Sequence, residues 1–272
     1  MSVTSSELAY SLTLPPERAI GYLESKGYVL SHDWRDVWEE EHARAFTVAK
    51  VTRLDILEDI RRKLQQALDE GRTAAWFRKE LEPVLKEKGW WGEKEITDPD
   101  TGEVTIIQQG STWRLDTIYR TNMTVVYSAG RWAEQMENVD DRPYWKYTAI
   151  QDNRTRKTHE ALHGTVMRYD DPFWEAFYPP NGWGCRCSVV AMSERDITRR
   201  KVTVTSSGDS LGYIAKRVSD MAIDSVAAFV TPTGIVVSPD IGWSYSPGAA
   251  YRPDLAKYGG DLAALAQQEL VP

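Results

Sequence analysis

At 272 residues and 42% hydrophobic content, the chain is long enough for one large domain or two modest ones, and too apolar for extensive disorder. Its formal charge of −7 and isoelectric point near 5.3 argue against gripping duplex DNA by its phosphates as the main activity. The opening MSVTSSELAYSLTLPPERA lacks the basic region and apolar run of a signal peptide, and no stretch reaches the ~18 apolar residues of a spanning helix, so a cytoplasmic origin is expected.

In chain order, Thr13 with Pro15 and Pro16 opens a first helix through Ala19, Ile20 and Leu23, closed by Gly27. A second helix, rich in Trp and acid, is expected from Asp33 (DWRDVWEEEHARAF). From Lys50 to Glu70, Val51, Leu54, Leu57, Ile60, Leu64, Ala67 and Leu68 recur at threes and fours, and Gly71 ends that helix. Thr73 caps the next, through Trp76, Phe77, Leu81 and Leu85 to Gly89. After Trp90-Trp91-Gly92, the turn Asp98-Pro99-Asp100-Thr101-Gly102 precedes the alternating EVTIIQ, one arm of a hairpin.

A long helix is predicted from Trp113 to Glu137, striped with Leu115, Ile118, Met123, Val126, Ala129, Trp132 and Met136. Tyr144 to Ile150 reads as a strand, followed by a polar, loop-rich region to Trp183 and a second strand from Cys185 to Met192. Beyond Val202 come a short helix over Leu211–Val230, a hairpin at TPTGIVVSP, an aromatic turn IGWSYSPG and an Ala-Leu helix from Asp261. The fold class is α+β: a helical N-terminal half with a long central helix, then a small antiparallel sheet in a loop-rich second half. The expected divisions are a helical region over 1–110, a core domain over 111–200 and an appendage over 201–272.

The chemistry-bearing residues crowd into Gln151 to Val190, and four readings compete for them. His159-Glu160-Ala161-Leu162-His163 matches the H-E-x-x-H of zinc hydrolases, in which two histidines one turn apart hold the metal and the glutamate activates water. Thr158 and Gly164 would cap that helix at barely two turns, and no third ligand stands at the usual distance. Structural zinc is the second reading: His159, His163, Cys185 and Cys187 make a Cys2His2 set, and residues i and i+2 of a strand point the same way. The third is a Cys-His nucleophile or a disulfide, the latter strained across a single intervening residue. The fourth is packing, with the two cysteines, the only ones in the chain, acting as small hydrophobes. There Arg154, Arg156 and Arg186 bind loop carbonyls and carboxylates such as Asp152, Asp170 and Asp171, while Pro179-Pro180-Asn181-Gly182 supplies the turn.

The order formed by Arg154, His159, Leu162 and Gly164, then Asp171-Pro172-Phe173-Trp174, then Pro179 to Cys187 (PPNGWGCRC) resembles the fingerprint of the phage Mu F-like head morphogenesis family. YRTNMTVVYSAGR upstream and DIGWSYSPG downstream extend the likeness over nearly the whole chain, with residues 111–200 as the Mu F-like core. The resemblance implies a structural minor head protein in the virion, at the capsid interior or portal vertex, assembled in the host cytoplasm without a membrane stage. Its implied partners are the portal and the major capsid or scaffold proteins, with DNA contact in the head during packaging or ejection. No catalytic residue or cofactor is implied; zinc enters only through the His/Cys set. Trp34, Trp38, Trp90, Trp91 and Trp243, out of eleven tryptophans, are candidate anchors for portal or capsid contact. Arg195–Lys201 is the segment for a DNA-contacting alternative, and a solvated helix end is its plainer reading.

Overall fold

The computed structural model describes residues 16–30, 45–49, 51, 53–97, 104–219 and 222–250. The Trp-rich helix expected from Asp33, with Trp34 and Trp38, and the Ala-Leu helix from Asp261 lie outside them.

The N-terminal half is helical for the reasons its pattern gives. Helix α1 (Pro16–Glu24) leads to a short parallel pairing of β1 (Gly27–Tyr28) with β2 (Ala45–Phe46). Helix α2 (Leu54–Asp69) buries Ile56, Leu57, Ile60, Leu64, Ala67 and Leu68, the apolar stripe read from the sequence. Helix α3 (Ala74–Glu87) starts where Thr73 accepts a hydrogen bond from the Trp76 amide. Strands β3 (Glu93–Thr97) and β4 (Val104–Gln108) form the expected antiparallel hairpin.

Helix α4 (Thr112–Glu137) opens on Ser111, whose hydroxyl accepts from the Arg114 amide. Its first four turns bury Leu115, Ile118, Met123, Val125 and Val126 in one core with α1, α2 and α3. Farther along, Trp132 and Met136 pack against a second core. That core forms around a three-stranded antiparallel sheet in the order β6-β5-β7: β6 is Val166–Arg168, β5 Tyr144–Thr148 and β7 Ser188–Met192. The stretch 151–183, read as loop from its polarity, carries two short helices, α5 (Lys157–Leu162) and α6 (Phe173–Phe177), as well as β6. Polarity there belongs to the exposed residues; Leu162, Phe173, Trp174 and Phe177 face inward.

The helix expected over Leu211–Val230 is a correction. After α7 (Glu194–Arg200), strands β8 (Leu211–Ser219) and β9 (Ala222–Val230) form an antiparallel hairpin, extended by β10 (Val236–Val237). The physical signal was period two rather than 3.6. Exposure alternates along Tyr213, Ile214, Ala215, Lys216 and Arg217, and Ile, Val and Phe suit a pleated surface. Successive alanines at Ala227 and Ala228 imitated a helix. Phe229, Ala227 and Val237 of this hairpin share the second core, whereas Trp243 joins the first.

Most of the described tryptophans are buried or partly buried. Trp145 and Trp174 are fully buried, Trp90 and Trp243 are buried, and Trp91 packs partly buried on the first core. The anchor role expected for Trp90 and Trp243 is therefore corrected: Trp90 lies under the Arg114 guanidinium, 4.8 Å from its ring centroid, and Trp243 meets Trp183 edge-on at 5.2 Å. Among the described residues the most exposed large rings are instead Trp113 and Tyr213, each about three-quarters accessible.

Phe173 stacks on Phe177 at 4.7 Å and meets Phe229 of the hairpin edge-on at 5.0 Å. Phe173→Ala is expected to cost about 3–5 kcal/mol, because truncation leaves a cavity walled by two elements that cannot collapse independently. Urea unfolding of the variant beside the unaltered chain measures it, and a loss under about 1 kcal/mol would mean the hairpin repacks freely.

Candidate functional site

The fingerprint residues gather where α5, the loop before β7 and the turn after α6 meet the end of β5. Tyr147, inward-facing on β5, is fully buried and donates its hydroxyl hydrogen to Asn181 Oδ1 at 2.9 Å. The Asn181 side-chain amide donates to the Ala176 carbonyl at 3.3 Å, and its backbone carbonyl accepts from the Asp240 amide at 3.0 Å. One buried asparagine thus ties sheet, helix and C-terminal segment. Pro180, in cis after Pro179, delivers the chain to it, and Ser128 of α4 donates to the Pro179 carbonyl.

Gly182 follows, and a larger residue there would have to displace the Asp240 carboxylate. A Cβ there would stand 2.1 Å from Asp240 Oδ2, and Asp240 is held 3.3 Å from Arg156. Gly164 has a different reason: its φ of 86° lies in the left-handed region, where it ends the α5 turn and returns the chain so that its amide reaches the Tyr147 carbonyl.

The arginines divide their work. Arg186 grips Asp152 with both guanidinium nitrogens at 2.8 and 2.6 Å, which holds the Asp152 carboxyl well below the usual carboxylate range. Arg156 donates to the Trp183 carbonyl at 2.7 Å as well as pairing with Asp240. Arg154 departs from the expectation: its side chain is largely exposed, 3.8 Å from Asp152, and its backbone amide makes the close contact to that carboxylate. Asp171 pairs with no arginine among the described residues. It accepts from the Phe173 and Ser207 amides and the Ser206 hydroxyl, capping the turn that buries Trp174, while Asp170 pairs with Arg168.

Of the four soft ligands, three converge. His159 Nδ1 lies 3.6 Å from Cys185 Sγ and 3.5 Å from Cys187 Sγ, and all three side chains are buried. The cysteines precede β7 rather than sitting in it, because the strand begins at Ser188. The extended Cys185-Arg186-Cys187 run still places both thiols on the side opposite Arg186. His163 is a correction: it lies outside the convergent group, its Nδ1 accepting from the Ala149 amide at 3.1 Å. Burial holds its pKa below the ordinary histidine value, aided by Lys146. The expected Thr158 cap is also replaced. The helix starts after Arg156, ends at Leu162 before the second histidine, and leaves Glu160 paired with Lys157 at the surface. The geometry an H-E-x-x-H hydrolase requires is therefore not formed.

A hydrogen bond from Cys187 draws the Cys185 thiol well below its ordinary pKa, and the same pairing, with burial, raises Cys187. Tyr147 and Asp240 escaped the sequence reading. The alternation of Trp145 and Tyr147 in YWKYT marks an inward face, but nothing local marks Asp240, about sixty residues from Asn181.

The described residues of this motif mainly hold one another. The family described as Phage Mu protein F like protein matches residues 58–190, and through them the chain is similar to that family. The chain is 42% identical over 252 residues to the putative capsid assembly protein F of Escherichia phage Mu, covering 90% of this chain and 56% of that one. It is 41% identical over 248 residues to the Mu-like prophage FluMu F protein of Haemophilus influenzae, covering 89% and 57%. The chain thus spans a little over half the length of these relatives. No solved structure matches it.

Asn181→Ala is expected to lower stability by about 1–3 kcal/mol, since it strands the buried Tyr147 hydroxyl and Ala176 carbonyl. Gly182→Ala should cost a similar ~1–3 kcal/mol by overpacking, and much of that should return in the Gly182→Ala/Asp240→Ala double variant. Strict additivity of the two changes in a denaturant double-mutant cycle would show that the Gly182–Asp240 approach is not what demands glycine.

Proposed function

We propose that this chain is a structural minor head component of a tailed phage, seated at the capsid interior near the portal vertex, that acts in head morphogenesis without catalysis. The observation that carries the reading is the 42% identity, over 90% of the chain, to a protein named for capsid assembly. The site agrees with it: Arg186, Asn181, Gly182 and Asp171 are engaged in fixing loops, and in the one hydrolase-like motif His163 lies apart from the group that His159 joins.

Portal and major capsid or scaffold proteins are the partners this reading names. Exposed Trp113, beside Arg114 at the start of α4, and half-exposed Trp183 are the aromatic anchors on offer. DNA contact during packaging or ejection is a lesser part of the reading. The Arg195–Lys201 segment is a solvent-facing helix end with no buried residue in α7, and the whole chain carries −7. No helix among the described residues is long and apolar enough to cross a membrane.

The test is an early stop codon in the gene within its own phage or prophage genome. Infectious yield should collapse and return when the chain is supplied in trans, and mass spectrometry of purified heads should find the chain beside the portal protein. Trp113→Glu should leave thermal unfolding unchanged but reduce incorporation into heads. Normal yield together with heads free of the chain would overturn the reading.

A further inference from the structure

We propose that His159, Cys185 and Cys187 form a metal site, zinc by the chemistry of its donors, whose fourth position opens onto a small surface pocket. The three ligand atoms lie within 4.8 Å of one another, on residues that contribute two sulfurs and one imidazole nitrogen. Tetrahedral zinc with ordinary Zn–S and Zn–N bonds sets each sulfur about 3.5–3.6 Å from the nitrogen. The distances here are 3.6 and 3.5 Å. The cysteines can hydrogen-bond to each other, but a single ring nitrogen offers one proton or one lone pair and serves one sulfur well, so hydrogen bonding leaves the equal approach of both sulfurs to His159 unexplained. A cation between the three groups satisfies all of them.

The surroundings are built for the purpose. The Cys185 amide closes a turn onto the Gly182 carbonyl at 3.1 Å, and Arg186 is drawn to the opposite side by Asp152. That alternation leaves the thiols of residues 185 and 187 facing His159. His159 and Cys185 are buried and Cys187 stands at the edge of the buried set, so most of the donor set is turned away from solvent.

One side remains accessible. Thr155, Arg156, His159, Gly184 and both cysteines border a pocket of about 10 Å³, room for about one water molecule. A metal entering from that side would be bound by three side chains and one water. Coordination would release two thiol protons to solvent, and Zn²⁺ with two thiolates and a neutral imidazole carries no net charge, which suits a buried place.

The experiment uses the full chain, purified under reducing conditions. Elemental analysis should give about one zinc per chain, removed by excess EDTA with a fall in melting temperature. Co²⁺ added to the stripped protein should produce thiolate-to-metal charge-transfer absorption and the intense visible bands of tetrahedral coordination. Cys187→Ser should abolish that absorption, and His163→Ala should preserve it. Since loss of a buried thiol can itself unfold the chain, the cobalt titration of the unaltered protein decides independently of the variants. Failure of stripped, reduced and folded protein to develop thiolate–cobalt absorption would overturn the proposal. So would a Cys185–Cys187 disulfide found by mass spectrometry in protein purified without reductant.

Discussion

The buried amide of Asn181 is the contact on which the second half of the molecule depends. Its side chain meets a tyrosine from the central strand and a carbonyl from a five-residue helix, while the backbone carbonyl of the same residue accepts from an amide of the C-terminal segment. None of those elements is self-sufficient. A helix of five or six residues has no stability of its own in water, because nucleation costs more than so few hydrogen bonds return. A three-stranded sheet with strands of three to five residues is little better. A polar group in such a place stabilises only when every lone pair and proton is answered, and here the side-chain oxygen and nitrogen both have partners.

Around that amide the remaining stabilisation is aromatic. Trp132, Trp145, Trp174 and Tyr178 meet edge to face at 4.8 to 6.3 Å, and Phe173, Phe177 and Phe229 form a second group beside them. Rigid rings bury large areas for few rotatable bonds, which suits a core that must be assembled from turns. The polar ends are used too. Tyr178 donates to Gln135 of α4 at 2.9 Å, and the Gln135 amide donates onward to the Val189 carbonyl of β7 at 3.0 Å. An abundance of Trp and Tyr that suggests contact with other proteins is therefore, at most described positions, the means by which short elements hold together.

What the sequence revealed follows the range of the interaction responsible. Helices α2 and α4 could be read because their apolar residues fall on one stripe, and α3 because Thr73 sits where a cap belongs. The hairpin over Leu211–Val230 was obscured because alanines at Ala227 and Ala228 carry little shape information, and the strand pairing that decides the matter is tertiary. In the site, Gly182 and Asn181 were legible as turn residues but not as groups fitted to Asp240 and Tyr147, which are distant in the chain. The His/Cys set was legible as composition. That Cys185 and Cys187 meet His159 and not His163 is decided by where α5 stops, a matter of one residue.

Helix α4 has a consequence of its own. Its 26 residues run about 39 Å, and among the described residues it is the one element whose side chains enter both cores: Leu115 to Ala129 in the first, Trp132 and Met136 in the second. A rod shared in this way couples its two ends mechanically. Twisting it to suit a neighbour at the Trp113 end displaces Trp132 from the rings of Trp145 and Tyr178, so strain applied at one end is felt in the packing around the other.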